Sequence, residues 1–274
     1  NEEDNTQHIS NNDKFFSALI ALALAKHLGC VDNLDINNNL FVKKTTSKKV
    51  VIAIDARPTG VEILDVINRV LLSLNITVMN LYIASAPEIM ALSSQDKSID
   101  AFLYISASHN PIGHNGIKFG KNGGVHTKEE SQTLANYFIE FISNENSMKF
   151  VKELVSSLDT KLLEKSLIEI EQNKEYSLKN YRDFALITSS NYQEIEPYLQ
   201  KLKNKILKRP IGVVAELNGS ARTLTIDKTF FNELGVKVLT VNDKPREVVH
   251  PIVPEGENLE MCRAILENKY KEDK

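Results

Sequence analysis

The stretch Ala101-Phe102-Leu103-Tyr104-Ile105-Ser106-Ala107-Ser108-His109-Asn110-Pro111-Ile112-Gly113-His114-Asn115-Gly116-Ile117-Lys118 decides how this chain is read. Its five leading apolar residues have the length of a buried strand. Pro111 fixes its own φ and holds Asn110 away from the helical region, so the chain must leave that strand as a loop. Asn115-Gly116 is a turn dipeptide that returns Lys118 at the head of a second short strand, Ile117 to Phe119. Ser108, His109, Asn110, Asn115 and Lys118 are thereby gathered on one hairpin-like loop at a strand exit.

Upstream, Val50 to Ile54 reads as a strand, Asp55-Ala56-Arg57-Pro58-Thr59-Gly60 as a polar turn and Val61 to Leu74 as an amphipathic helix. Ile76 to Tyr82 is a further strand, and Pro87 opens a helix running through Leu92. Alternating β and α segments of this length predict an α/β layered domain with functional groups at the carboxyl ends of the strands. Asp55 and Arg57 read equally well as an ion pair bracing the turn and as part of an active-site floor. Residues 1–12 are polar and expected to be poorly ordered. Asp13 is the expected N-cap of an Ala/Leu-rich helix that closes at Gly29. His27 lies in its last turn, where the helix dipole favours a cation. A polar linker is expected at about Asn37 to Lys49.

Downstream, Gly120, Gly123 and Gly124 lack phosphate-loop spacing and read as a plain turn. Thr127 to Ile142 is helical with an apolar stripe, and a charged helical tract is expected from Lys149 to about Glu175. A new unit is expected near Tyr181, dividing the chain into domain I, 1–178, and domain II, 179–274. Domain II reads as a helix over Tyr192 to Leu207, a strand over Ile211 to Leu217, and an exit turn at Asn218-Gly219-Ser220. A helix through Leu224 to Phe231, a strand over Val236 to Val241, a Pro-punctuated loop and a last helix from about Asn258 to Asn268 follow. The chain stops where another strand is expected, so the second α/β domain reads as incomplete. The absence of an initiator Met likewise reads as a processed or truncated portion.

The 274 residues are 42% hydrophobic, with 33 basic and 36 acidic side chains and a net charge of −3. That balance gives no reason to expect nucleic acid or an anionic membrane as partner, so an anionic ligand must be caught locally. No stretch reaches the roughly 20 apolar residues of a membrane span, and no signal region opens the chain. Cys30 and Cys262 are far apart and form no CxxC site, which fits a cytoplasmic protein with free thiols.

A serine hydroxyl needs a neighbouring base to act as a nucleophile. His109 is adjacent, but neighbours on an extended segment point to opposite sides, and G-x-S-x-G spacing is absent, which disfavours acyl transfer. A phosphate on Ser108 would bring roughly two negative charges and three acceptor oxygens. Lys118, the amides of Asn110 and Asn115 and a divalent cation could hold it.

Ser106-Ala107-Ser108-His109-Asn110-Pro111 followed by Asn115-Gly116-Ile117-Lys118 resembles the T-x-S-H-N-P…N-G-x-K phosphoserine loop of the α-D-phosphohexomutases, the phosphoglucomutase/phosphomannomutase family. Asp55-Ala56-Arg57-Pro58-Thr59-Gly60 is similar to the family's D-x-R-x-S/T-G turn. Leu217-Asn218-Gly219 resembles its L-N-G turn, and Pro254-Glu255-Gly256-Glu257-Asn258-Leu259 its approach to the metal loop. The resemblance implies a layered mixed-sheet domain of the phosphohexomutase type, and a phosphotransferase of the isomerase class in carbohydrate metabolism. Phosphorylated Ser108 would exchange its phosphoryl group with a sugar monophosphate through a sugar bisphosphate. Lys118 and His109 would flank the transferring group, Asn110, Asn115 and Arg57 would bind substrate, and Mg²⁺ would be held through the Ser108 phosphate oxygen. His114 is expected to face solvent.

The family's D-x-D-x-D-R metal loop, G-E-x-S-G sugar loop and R-x-S-G-T-E-P phosphate loop do not occur in these 274 residues. The expectation is therefore an N-terminal portion that binds Mg²⁺ poorly and does not turn over by itself. A non-catalytic phosphosugar-binding or interaction protein on the same fold is the alternative.

Overall fold

The computed structural model describes residues 6, 8–36, 40–43, 48–191, 194–251 and 259–272. Helix α1 (Asn11–His27) is capped by Ser10, whose hydroxyl accepts the Asp13 N–H while the Asp13 carboxylate accepts the Ser10 N–H. Asp13 is thus the third helical residue and not the cap, because a reciprocal capping box satisfies two otherwise orphaned donors. The helix begins inside the segment expected to be disordered, and Ile9 ahead of it packs against the core. Within the polar linker expected at about Asn37 to Lys49, β2 (Leu40–Lys43) forms and pairs antiparallel with β1 (Val31–Asp35) just ahead of it.

The main sheet is built on β3 (Lys49–Ile54). Val50, Ile52 and Ile54 face one core and Val51 and Ala53 the other, so an unbroken apolar run is what a doubly covered strand requires. Helix α2 (Gly60–Ser73) and strand β4 (Thr77–Ile83) follow, then α3 (Ala86–Gln95), with Pro87 in its first turn. Strand β5 (Ala101–Ile105) occupies the expected residues and is wholly buried. It runs parallel to β3 and antiparallel to β6 (Ile117–Lys121), which turns at Asn122-Gly123 into β7 (Gly124–Val125). The order β4-β3-β5-β6-β7 makes this a mixed sheet. The positive φ of Asn122 and Gly123 suits a two-residue hairpin turn, as the glycines predict.

Helix α4 (Lys128–Ile142) packs with α1 and α2 on the face that holds Ile52, through Leu134 and Phe141. The single charged tract expected beyond it is three helices, α5 (Ser147–Ser156), α6 (Thr160–Ile168) and α7 (Ile170–Ser190), because Asp159 caps a new start. On the opposite face α3 packs against α7. Residues 178 and 179 both lie inside α7. Ahead of them Lys174 binds Glu88 of α3, and beyond them Leu186 enters a third, smaller core.

That core contains Leu199 of α8 (Ile195–Lys208), Leu234 and Val236. Tyr192, expected to open α8, lies outside the described residues. Strand β8 (Gly212–Glu216) is followed by a 3₁₀ turn, Ala221–Leu224, and by α9 (Asp227–Glu233). The helix expected through Leu224 is therefore broken, with Thr225 extended between the two pieces. Strand β9 (Lys237–Val241) pairs parallel with β8, and α10 (Glu260–Glu272) ends the described chain. Pro254 to Asn258 lie outside the described residues. No helix among the described residues is long and apolar enough to cross a membrane.

Candidate active site

Strand β5 ends at the carboxyl edge of the sheet, where the loop of residues 106–116 begins. The loop is tied at its base by a Ser106 N–H bond to the Gly116 carbonyl at 2.8 Å, and a Cβ on Gly116 would meet the Ser106 oxygen at 3.0 Å. An Asn110 N–H bond to the Ala107 carbonyl at 3.1 Å closes a turn around Ser108. Ser108 itself takes φ +55°. This left-handed position costs an L-residue about 1 kcal/mol or more, so surrounding bonds must hold it. It also replaces the extended geometry expected at Ser108 and His109.

Lys118, on β6 opposite Tyr104, directs its Nζ to Ser108 Oγ at 2.8 Å and to the Ser106 carbonyl at 3.3 Å. The ammonium stands 5.7 Å from the centroid of the Tyr104 ring. Burial pushes the Lys118 pKa down; Asp55 opposes that shift and Arg57 adds to it. Tyr104 donates to the Ala84 carbonyl at 3.0 Å, and burial pushes its own pKa up.

Arg57 lies beneath the loop, only 3% exposed. Its Nε donates to Asp55 at 3.1 Å, its Nη2 to the carbonyls of Ser108 at 3.0 Å and Asn110 at 2.8 Å, and its Nη1 to the carbonyl of Pro111. The ion pair read from the sequence is present, but the guanidinium also grips the serine loop. Asn115 turns its amide to Thr59 Oγ1, pinning the far end of the loop to the same turn. Asn110 contributes its carbonyl to Arg57. His109 and His114 are exposed, as expected for His114.

Ser108, His109, Arg57 and Lys118 line a cleft of about 400 Å³. Its opposite wall comes from the smaller unit and includes Glu216, Asn218, Arg222 and His250. Asn218 holds that wall together: its Oδ1 accepts the N–H groups of Val249 and His250, and its amide donates to the His250 carbonyl at 2.9 Å. Of these residues the sequence singled out only Asn218. Tyr104, Glu216, Arg222 and His250 were not singled out: Tyr104 reads as one apolar residue of a strand and bonds Ala84, 20 residues away, and Glu216 accepts from Asn242, 26 residues away.

Among the described residues, no group of three or more His, Cys, Asp or Glu side chains could hold a metal. Asp55 is engaged twice by Arg57, and Glu216 accepts from the Asn218 N–H and the Asn242 amide. Beyond a phosphate oxygen on Ser108, this donor set does not make up a Mg²⁺ site, which needs near-octahedral oxygen ligands.

A mixed α/β/α sheet that presents a serine beside a lysine on a strand-exit loop defines a phosphohexomutase type of fold. Residues 36–144 match the phosphoglucomutase/phosphomannomutase alpha/beta/alpha domain I family, which bears out the resemblance read from the serine loop. The chain is 27% identical over 241 residues to the phosphoglucosamine mutase of Helicobacter pylori (strain G27), covering 85% of this chain and 44% of that protein. It is 27% identical over 210 residues to the phosphoglucosamine mutase of Campylobacter fetus subsp. fetus (strain 82-40), covering 75% of this chain and 40% of that protein. The chain thus spans under half the length of these curated relatives. A solved phosphoglucomutase/phosphomannomutase family protein from Burkholderia thailandensis shares the fold with TM-score 0.50 and 18% identity, covering 91% of this chain and 46% of that one. A structure from Thermus thermophilus does so with TM-score 0.53 and 17% identity, covering 91% and 47%.

Proposed function

We propose that this chain carries the phosphoryl-accepting half of a phosphohexomutase site, with Ser108 as the group that takes and returns phosphate. The observation that carries the reading is the 2.8 Å contact of Lys118 Nζ with Ser108 Oγ, on a loop held in a left-handed turn at the mouth of the cleft. As a phosphoryl group moves from a sugar bisphosphate to Ser108, the bond from phosphorus to the sugar oxygen breaks and a bond to Oγ forms. The serine proton passes to Lys118, and a proton supplied to the leaving sugar oxygen completes the exchange. The depressed pKa of Lys118 suits that task. His109, on the cleft wall, is the candidate donor to the sugar oxygen. Asn110 and Asn115 act through the loop they brace.

The full reaction would interconvert two monophosphates of one hexose through the bisphosphate, in the cytoplasm, where free Cys30 and Cys262 persist. The names of the relatives favour an amino-hexose phosphate as substrate. Mg²⁺ dependence and turnover are assigned to a site completed by groups other than the described residues. The chain itself divides at α7 into a serine-loop domain and a second domain supplying the far wall of the cleft.

The test is intact-mass spectrometry after incubation with glucosamine 1,6-bisphosphate or glucose 1,6-bisphosphate. A gain of about 80 Da that maps to Ser108 and disappears in Ser108→Ala supports the reading. A wild-type chain with a folded spectrum that takes up no phosphate from either compound, with or without Mg²⁺, sinks it in favour of a non-catalytic binder.

A further inference from the structure

The four donated bonds of Arg57 set it apart from every other cation that lines the cleft. A guanidinium offers five N–H donors in a fixed planar fork. Here Nε meets Asp55, and the two terminal nitrogens meet the carbonyls of Ser108, Asn110 and Pro111. All three carbonyls belong to one four-residue span, and they converge on one buried plane. Such convergence requires the backbone to curl, and the residue at the start of that span, Ser108, is the one at φ +55°. Unlike Asn or Gly, serine does not visit this region readily, so its conformation needs an external hold. With Ser108 so curled, its Oγ accepts from Lys118 Nζ at 2.8 Å.

We infer that Arg57 is a positioning residue for Ser108 and not a ligand for substrate. Its side chain is nearly inaccessible, and both terminal nitrogens already donate to backbone carbonyls. Asp55 fixes the fork a second time, through Oδ1 to the Arg57 N–H at 3.0 Å and Oδ2 to Nε. The Asp-x-Arg spacing thus builds the clamp from one turn, and the serine loop is laid upon it. The same guanidinium places a fixed positive charge below Ser108, which favours the doubly charged phosphoserine over the neutral serine.

The inference rests on Ser108 being phosphorylated, so its test has one arm that does not. Wild type, Arg57→Lys and Arg57→Gln are compared, with circular dichroism confirming that each is folded. In hydrogen exchange, residues 106–116 of Arg57→Gln are expected to exchange about ten-fold faster or more while β3 and β5 keep their protection. Protection of the loop unchanged in a folded Arg57→Gln overturns the clamp. Uniform loss of protection in that variant sends the same comparison to Asp55→Asn, in which the loop alone should loosen; unchanged loop exchange there overturns it equally. In phosphate uptake from the sugar bisphosphate, a positioning role predicts that the saturating rate falls about a hundred-fold in Arg57→Gln, with the half-saturating concentration unchanged. Partial recovery in Arg57→Lys is expected. A raised half-saturating concentration with an unchanged saturating rate would make Arg57 a substrate ligand and overturn the inference. No uptake by wild type itself condemns the reading of Ser108 and leaves the exchange arm to judge the clamp.

Discussion

Glu88, wholly buried in the first turn of α3, receives Lys174 of α7 on both carboxylate oxygens at 2.8 Å. Ser177 adds a bond to Glu88 Oε1 at 3.0 Å, and Lys174 also reaches the Ile83 carbonyl at 2.8 Å. This pair joins the helix that leads into the smaller unit to the sheet that carries the serine loop. Burial pushes the Glu88 pKa up and the Lys174 pKa down, each countered by the partner's charge. Removing one partner leaves the other as an uncompensated charge. Glu88→Leu should therefore cost about 3–5 kcal/mol in urea unfolding, and Glu88→Leu with Lys174→Met markedly less. A single variant within about 1 kcal/mol of wild type would show that the pair contributes little.

Lys118 must lose a proton to accept one from Ser108. Because burial lowers its pKa from the ordinary 10.5, phosphate uptake should rise with pH and level off below that value. Arg cannot deprotonate in this range, so Lys118→Arg should slow uptake by about 10²–10⁴-fold and abolish the pH limb. The same limb persisting in Lys118→Arg would assign the proton to another group.

His27 at the end of α1 and His126 ahead of α4 stand with ring centroids 5.1 Å apart, and Phe119 stacks on His126. Burial pushes both imidazoles below the ordinary 6.5, against the attraction of Glu130, while Lys121 pushes the same way as burial. The cation expected of His27 from its place in α1 is thus opposed by what packs around it. In the folded state these groups take up protons later than in the unfolded state as pH falls. Their contribution is fully present above about pH 6.5 and declines as pH drops through the lower folded values. Thermal unfolding should show a loss of stability between pH 7 and pH 5 that shrinks when both are replaced by Gln. An equal loss in the double variant would place acid sensitivity elsewhere.

Two glycines make opposite predictions. A Cβ on Gly120 would meet the Gly124 oxygen at 2.1 Å and the Phe102 ring at 2.3 Å, so Gly120→Ala must displace a strand or a buried ring. It should cost about 3 kcal/mol. Gly212, at the start of β8, has open space around its Cβ position, and Gly212→Ala should stabilise by about 0.5 kcal/mol through lost freedom of the unfolded chain. Chemical denaturation of the two variants checks both signs.

Short-range chemistry made much of this fold legible. The runs at Val50 to Ile54 and Ala101 to Ile105 announce strands covered on both faces, and Asn122-Gly123 and Asn218-Gly219 announce turns, because burial and positive φ act on the residues themselves. The Ser108 to Lys118 motif could be read because both chemical groups lie within one short loop. The reading failed where neighbours outweighed composition. Residues 40–43 look like linker and pair as a strand, and the tract after Lys149 looks continuous yet starts afresh at the Asp159 cap.

Packing alone decided the contacts of Arg57, the second wall of the cleft and the bond between Glu88 and Lys174. A side chain that binds backbone carbonyls leaves no trace in the identity of its partners, and a carboxylate's ammonium can lie 86 residues away. The nature of the candidate reacting groups was therefore written in local sequence. Which of them is accessible, which is buried under the loop and which way the serine points follow from contacts that exist only once the sheet has assembled.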